Sequence, residues 1–143
     1  MVEIRAITEK DADIVAKLST QLGYKSDVKQ TTARIKLINN SIENCAFVAL
    51  INGKIVGWIH AFYTLRIESD AFVEIGGLIV DETYRNHQIG KQLIENITLW
   101  AKKQELKKLK VRCNIVRIES HKFYKRIGFK ENKTQIAFEK DII

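Results

Sequence analysis

Apolar residues recur along the chain with two periods, and their order predicts a mixture of strands and helices. Val2–Ile7 is a short run rich in residues that favour strands. Thr8 and Asp11 then have the spacing of a helix N-terminal capping pair. The helix that they begin has a suitable C-cap at Gly23. A second helix is predicted within residues 26–41, where apolar residues again share one face.

The middle of the chain predicts strands joined by a tight turn. Cys45–Ile51 is apolar and rich in β-favouring residues. Asn52-Gly53 follows and predicts a hairpin, because both residues tolerate positive φ. Lys54–Leu65 is the expected return strand. Phe72–Val80 is the next predicted strand, and it contains the internal pair Gly76-Gly77.

The remaining elements complete the prediction of fold class. The pattern indicates a helix after the loop Asp81–Gln88, a strand at Lys108–Cys113, a helix at residues 117–127 ended by Gly128, and closing strands at Phe129 and Thr134–Phe138. This order predicts one α/β domain over residues 1–143. Its mixed sheet should have about six to seven strands, flanked by about four helices.

Composition narrows the class of protein and of partner. The 143 residues include 24 Lys and Arg against 17 Asp and Glu, which gives a net charge of +7. Such a surplus suits an anionic partner, although a solvated basic surface explains it equally well. The apolar runs are too short to cross a bilayer, and basic and aromatic residues are not interleaved as in nucleic-acid binders. Neither a membrane nor a nucleic acid is therefore expected as a partner.

The cysteines and histidines indicate neither a disulfide framework nor a metal site. Cys45 and Cys113 form no Cys-x-x-Cys pair and lie in strand-like segments, so reduced thiols in a cytoplasmic protein are expected. The first residues have no basic region leading into an apolar stretch, so no secretory signal is expected. His60, His87 and His121 are scattered and lack the spacing of metal ligands.

The loop between residues 80 and 92 is a candidate phosphate site. A strand leads into a loop that opens a helix at Gln88-Ile89-Gly90-Lys91. The first turn of a helix leaves backbone N–H groups without partners, and Gly90 would let a ligand approach closely. Arg85 and Lys91 add positive charge. The alternative is an ordinary strand–helix loop, and neither a P-loop nor a dinucleotide fingerprint is present.

Two further features remain open between a structural and a functional interpretation. Gly76-Gly77 could mark a bulge whose unpaired N–H groups bind an extended ligand containing amides, or it could make room for a bulky neighbour. Tyr124 lies one helical turn from His121 and could donate a proton, or its hydroxyl could be capped by a neighbouring group in the core.

Taken in order, these motifs resemble the GNAT superfamily of N-acetyltransferases. Val73–Val80 resembles the family's central strand. Arg85 to Gly90 resembles its pyrophosphate loop, and Phe123–Phe129 resembles its closing Tyr-x-x-x-Gly-Phe signature. The subgroup most similar is that of bacterial aminoglycoside N-acetyltransferases. Its characteristic residues are matched at Gln21–Tyr24, Val56–Trp58, Ile75–Leu78, Asn114 and Arg117.

The resemblance implies a reaction and its donor. An enzyme of this family transfers the acetyl group of acetyl-CoA directly to a primary amine in a ternary complex, without a metal. A splayed central pair of strands is part of the implied fold, and a homodimer is compatible with it. The implied cofactor-binding residues are Leu78, Ile79, Val80, Arg85, Gln88, Ile89, Gly90, Lys91 and Asn114.

The chemistry of the transfer suggests two catalytic residues. Glu74 interrupts an apolar strand just before the glycine pair and is the candidate base for the amine. The N–H groups near Leu78 could stabilise the oxyanion, and Tyr124 is the candidate acid for the leaving thiolate.

Two positions depart from the family pattern. Gln88 stands where most relatives have glycine, and Arg117 stands where many have asparagine. The first departure leaves open a non-catalytic acyl-CoA-binding regulatory module. A peptide or protein N-acetyltransferase is a further alternative, and the acceptor amine is not identified by the sequence.

Overall fold

The computed structural model describes residues 1–85 and 87–143, and in these residues the chain forms five strands and four α-helices. The strands are β1 (Val2–Ala6), β2 (Asn44–Ile51), β3 (Lys54–Thr64), β4 (Phe72–Val80) and β5 (Leu109–Val111). The helices are α1 (Ala12–Thr20), α2 (Val28–Asn39), α3 (Ile89–Lys103) and α4 (Ile118–Arg126). Short 3₁₀ turns at Glu9–Asp11 and Glu82–Tyr84 precede α1 and α3.

The strands form one mixed sheet in the order β1-β2-β3-β4-β5. The first three neighbouring pairs are antiparallel, whereas β4 and β5 are parallel. The α/β fold class is therefore confirmed, but the predicted number of strands was too high for the residues described. The closing strands expected at Phe129 and Thr134–Phe138 are not formed.

The missing strands have a physical reason. Residues 130–143 are all exposed, including the large apolar side chains of Ile136 and Phe138. A strand needs a neighbour with which to exchange backbone hydrogen bonds. The chain divides into two compact units, Met1–Val111 and Arg112–Ile143, and the second unit contains no strand that could pair with this segment.

Local signals account for the elements of the first unit. The Thr8 amide donates to the Asp11 carboxylate at 2.8 Å, which confirms the predicted capping interaction at the start of the first helical segment. The Asp27 side chain accepts from the Lys29 amide at 2.8 Å and caps α2. Asn52-Gly53 forms the predicted hairpin turn, with φ values of +50° and +78°.

Two apolar layers cover the sheet of the first unit. On one face, α1 and α2 pack on alternate residues of β2 and β3. This cluster consists of Ile7, Ala12, Val15, Leu18, Ile35, Ala46, Val48, Leu50, Ile55 and Ile79. On the other face, Ile89 and Leu93 of α3 lie against Gly57, where an added β-carbon would be 3.4 and 3.5 Å from them. The close approach of α3 to β3 therefore depends on a residue without a side chain.

Candidate active site

Strand β4 contains one residue more than its partner. Gly77 pairs with His60 and Ile75 pairs with Ala61, so Gly76 is the extra residue between two neighbouring positions of β3. This is a β-bulge, and it confirms the distortion that the glycine pair predicts. A bulge increases the local twist of a strand and interrupts regular pairing.

The glycine pair is also required for space. A β-carbon on Gly76 would lie 2.9 Å from Nδ1 of His60 and 3.0 Å from Cε1 of Phe62. A β-carbon on Gly77 would lie 2.8 Å from Cη2 of Trp58. Both glycines therefore face the aromatic side chains of β3, as expected when a bulge turns two consecutive residues to one face. The glycine pair therefore both forms a bulge and makes room for bulky neighbours.

The pairing of β4 with β5 stops at the bulge. Their parallel pairing covers only Val73–Ile75 and Leu109–Val111, whereas β4 continues to Val80. Along Gly76–Val80, no strand among the described residues pairs with this edge of β4. The predicted cofactor-binding residues Leu78 to Val80 lie on this part of the strand. Leu78 and Val80 are partly buried, and Ile79 belongs to the core.

The start of α3 presents backbone amides without acceptors. The first helical hydrogen bond runs from the Gln92 amide to the Gln88 carbonyl at 3.1 Å. The three preceding amides, of Ile89, Gly90 and Lys91, have no acceptor in the part of the chain that the structure describes. These groups lie at the positive end of a 15-residue helix, so an anion is favoured there.

The backbone conformation of Gln88 explains why most relatives are expected to have glycine at this position. Gln88 lies in the left-handed region, with φ +62° and ψ 18°. A side chain at such a position costs free energy that glycine does not incur. Arg85 lies on the same loop, and its guanidinium is 3.8 Å from the Glu82 carboxylate in an exposed ion pair. Asn86, inside the predicted pyrophosphate motif, lies outside the described residues.

Glu74 lies on the face of the sheet that carries the β3 aromatic residues. It pairs with Phe62 across β3 and β4, and residues paired across antiparallel strands share a face. Lys110 of β5 is its partner in the parallel register, with Nζ 4.2 Å from the centre of the Phe72 ring. Glu74 is partly buried, so the candidate base lies near the bulge on a surface of mixed polarity.

His60 lies on this same face, in the hairpin that usually helps to shape the acceptor site in the family that the sequence resembles, although no motif specifies its role. Its Nε2 atom is 2.8 Å from the Asn44 Oδ1 atom, and its ring centre is 5.6 Å from that of Phe62. Burial lowers the pKa of His60 below its ordinary value. The signal that could have revealed it is the glycine pair, because Gly76 lies directly beside the imidazole.

Tyr124 and Asn114 lie in the second unit. The Tyr124 ring has edge-on contacts with Phe123 and Phe129, at centre distances of 5.1 and 5.4 Å. Burial raises the pKa of Tyr124 to about 12; Cys113 raises it further and Arg117 opposes the rise. Asn114 is exposed, and its side chain accepts from the Val116 amide at 3.1 Å in the turn before α4.

Neither a metal site nor a membrane segment is present in the described residues. No group of three or more His, Cys, Asp and Glu side chains is placed to hold a metal ion. No helix in residues 1–85 and 87–143 is both long and apolar enough to cross a bilayer.

Comparison with known proteins assigns the class of this fold and site. The model of the acetyltransferase (GNAT) family matches residues 15–129, and the chain belongs to that family. The match includes residues of both compact units. The resemblance inferred from the sequence motifs is thereby confirmed.

Two curated relatives are similar in sequence. The chain is 29% identical over 133 residues to an aminoalkylphosphonate N-acetyltransferase of Salmonella typhimurium, a match that covers 91% of this chain and 86% of the relative. It is 32% identical over 87 residues to an N-acetylaspartate synthetase of Xenopus tropicalis. That match covers 61% of this chain and 31% of the relative, so the chain spans about a third of the relative's length.

Solved structures share the fold. An aminoglycoside acetyltransferase, AAC(6')-Iy, in complex with a bisubstrate analogue superposes with a TM-score of 0.87 at 20% identity, over 99% of each chain. AAC(6')-Ih from Acinetobacter baumannii gives a TM-score of 0.88 at 16% identity, again over 99% of each chain. At these identities, the similarity establishes the fold.

Proposed function

We propose that this protein transfers the acetyl group of acetyl-CoA to a primary amine of a small molecule. The observation that carries the proposal is the position of the amides of Ile89, Gly90 and Lys91, which have no acceptor among the described residues and follow β4 after the loop of residues 81–88. A diphosphate suits the amides, and an extended chain containing amides suits the strand edge. Coenzyme A contains both groups.

The charges of the loop support this choice of donor. Arg85 and Lys91 are exposed and lie before and within the first turn of α3. The net charge of +7 favours approach of a polyanion. In this proposal Leu78–Val80 hold the pantetheine arm and residues 88–91 hold the pyrophosphate. Asn114 is proposed as a further contact to the cofactor.

Two side chains are proposed for the chemical step, one as the base and one as a hydrogen-bond donor. Glu74 accepts a proton from the ammonium, so that the nitrogen lone pair can attack the thioester carbonyl carbon. Amides of β4 near Leu78 stabilise the negative charge that develops on the carbonyl oxygen. We propose Tyr124 as the hydrogen-bond donor to the leaving sulfur. With a pKa of about 12, against about 8.5 for a free thiol, its hydroxyl stays protonated and stabilises the departing thiolate through a hydrogen bond.

The class of acceptor is supported by the relatives. The similar proteins include an aminoalkylphosphonate N-acetyltransferase and aminoglycoside N-acetyltransferases, whose named acceptors are small amines. We therefore propose a small primary amine in preference to a peptide or protein amino group. The competing function is a regulatory module that binds acyl-CoA without catalysis, and the strained backbone of Gln88 is the observation in its favour.

Binding of the donor is the first test. Acetyl-CoA should raise the unfolding temperature in a concentration-dependent manner and give a measurable Kd by calorimetry. Lys91→Ala should weaken binding several-fold, since it removes a charge near the first turn of α3. Lys103→Ala is the matched control at the far end of the same helix and should leave the Kd unchanged. Absence of any stabilisation by acetyl-CoA would contradict the proposal.

Turnover is the second test, and it separates the enzyme from the regulatory module. Release of free thiol from acetyl-CoA is followed with aminoalkylphosphonates, aminoglycosides, polyamines, amino acids and peptides as acceptors. Thiol release with a small amine supports the proposed function. Tight binding of acetyl-CoA without thiol release for any acceptor would favour the regulatory module, and preference for peptides would favour the protein acetyltransferase.

The cytoplasm is proposed as the compartment, because both cysteines of the chain, Cys45 and Cys113, are free thiols. Cell fractionation with an antibody against the protein tests this. A homodimer is compatible with the family resemblance, and sedimentation equilibrium distinguishes it from a monomer.

A further inference from the structure

A short chain of hydrogen bonds fixes the orientation of the His60 side chain. The Asn44 Nδ2 atom donates to the Ser41 hydroxyl at 3.0 Å, and the Asn44 Oδ1 atom lies 2.8 Å from His60 Nε2. The Glu43 amide also donates to the Ser41 hydroxyl, at 3.2 Å. In this arrangement the Asn44 amide nitrogen bonds to Ser41 and its carbonyl oxygen lies toward the imidazole.

This arrangement determines which ring nitrogen has the proton. A carbonyl oxygen can only accept, so Nε2 of His60 must donate and therefore holds the ring proton. In the neutral imidazole, Nδ1 is then an acceptor with a free lone pair. Burial lowers the pKa of His60, so the ring is neutral at pH 7.

The Nδ1 atom of the partly buried His60 lies beside the exposed Gly76 of the bulge. An added β-carbon on Gly76 would be 2.9 Å from it, and Gly76 is exposed to solvent. Within residues 1–85 and 87–143, no protein group donates a hydrogen bond to Nδ1. An acceptor atom therefore lies at the accessible bulge, on the face that also has Glu74.

We propose that Nδ1 of His60 accepts a hydrogen bond from the acceptor amine and so holds its nitrogen beside the Gly76 bulge. This inference rests on the proposed function and adds a substrate-binding residue to it. An ammonium group has several N–H donors, so a bond to His60 leaves others for further acceptors. A neutral imidazole attracts such a donor, whereas a charged one would repel it.

The alternative is that His60 only fills space and anchors Asn44. Two substitutions separate these roles because each keeps one polar end of the imidazole. His60→Gln places an amide nitrogen near the former Nε2 position, so it can keep the bond to Asn44 while removing Nδ1. His60→Asn places an amide oxygen near the former Nδ1 position and gives up the bond to Asn44.

The kinetic experiment uses the full chain with spermidine and kanamycin as probe amines. We expect His60→Gln to lower kcat/KM for the amine by about 10- to 100-fold, the usual effect of losing a hydrogen bond to a charged group. The Kd for acetyl-CoA should stay within about twofold of the wild type. His60→Asn should recover part of the lost rate. Equal kcat/KM for the wild type and His60→Gln would overturn the inference.

A spectroscopic experiment tests the role of His60 without a measurement of enzyme activity. Nitrogen-15 NMR of the histidine-labelled protein at pH 7 should show Nδ1 of His60 unprotonated, and spermidine should shift its resonance. A protonated Nδ1, or a resonance that spermidine does not move, would overturn the inference. A wild-type protein that acetylates no amine contradicts the proposed function, whereas activity that His60→Gln leaves intact contradicts only the role of His60.

Discussion

A β-carbon on Gly77 would lie 2.8 Å from Cη2 and 2.9 Å from Cζ3 of Trp58, closer than carbon atoms approach in folded proteins. Gly77→Ala should therefore destabilise the protein, because the rigid indole or the bulged strand must move. The expected loss is about 1–3 kcal/mol in the free energy of unfolding, as for other overpacked sites. Urea denaturation followed by circular dichroism measures it.

A double-mutant cycle shows whether the indole is responsible. Trp58→Leu removes the two ring atoms that the new methyl group would meet, so Gly77→Ala should cost less in that background than in the wild type. If the cost of Gly77→Ala is the same in both backgrounds, the glycine is needed for its backbone freedom and the steric explanation is wrong.

The left-handed conformation of Gln88 predicts an unusual gain from glycine. With φ +62° at the N-cap of α3, Gln88→Gly should relieve backbone strain and leave stability unchanged or raise it by up to about 1 kcal/mol. Gln92→Gly, one turn into the same helix, should instead cost about 1 kcal/mol. Thermal unfolding of the two variants provides the comparison.

The same pair of variants tests what the side chain of Gln88 does to the proposed cofactor site. If the side chain crowds the pyrophosphate, Gln88→Gly should lower the Kd for acetyl-CoA. A Kd that rises would show that the glutamine side chain contributes to binding. The departure from the family pattern would then be a local adaptation.

Most elements of the fold were predictable because their signals are local. The Asn52-Gly53 turn and the caps at Thr8 and Asp27 depend on residues within a few positions of one another. The closing strand at Thr134–Phe138 was wrong because strand formation also requires a partner. Its β-favouring residues indicate a strand but contain no information about a neighbour.

Those parts of the candidate site that a single contiguous segment forms were predictable, and contacts between distant segments were not. The bulge at Gly76 and the start of α3 near Gln88 each follow from a contiguous motif, and the structure has both. The bond between Asn44 and His60 joins residues 16 positions apart on different strands. Its existence depends on the register of β2 against β3, and the β2–β3 pairing contains an irregularity after Ala49. No local pattern specifies that alignment.

The pairing of Arg5 with Asp11 predicts an acid-sensitive contribution to stability. The guanidinium donates to both carboxylate oxygens at 2.8 and 2.9 Å, and the Asp11 side chain is almost fully buried. These bonds and the Thr8 amide hold the pKa of Asp11 below its ordinary value of 3.8. The folded state thus favours the ionised form. The contribution of the Arg5–Asp11 pair to stability is complete above about pH 5 and is lost as the pH falls through the lowered pKa of Asp11.

Asp11→Asn tests this dependence. It should lower the free energy of unfolding at pH 7 by about 1.5–3 kcal/mol, and the difference from the wild type should shrink below pH 4. Asp13→Asn is the matched control, because its 3.3 Å ion pair with Lys17 is exposed and should contribute less than about 0.5 kcal/mol. A penalty for Asp11→Asn that stays constant down to pH 2 would exclude the charge as its cause.

Because the pKa of Tyr124 is high, its proposed role can be tested over a pH range in which its hydroxyl does not titrate. Tyr124→Phe should reduce kcat by about 100-fold while the Kd for acetyl-CoA is unchanged, because only the hydrogen bond to the developing thiolate is lost. With a pKa of about 12, the hydroxyl is protonated at any pH below about 10. The shape of the pH–rate profile in that range should therefore be the same in the variant and the wild type.

Tyr24→Phe, at an exposed tyrosine, is the control for the loss of a phenolic hydroxyl. An unchanged kcat in Tyr124→Phe would remove this residue from the mechanism, and loss of an alkaline limb of the profile would mean that the pKa of Tyr124 falls when donor and acceptor are bound.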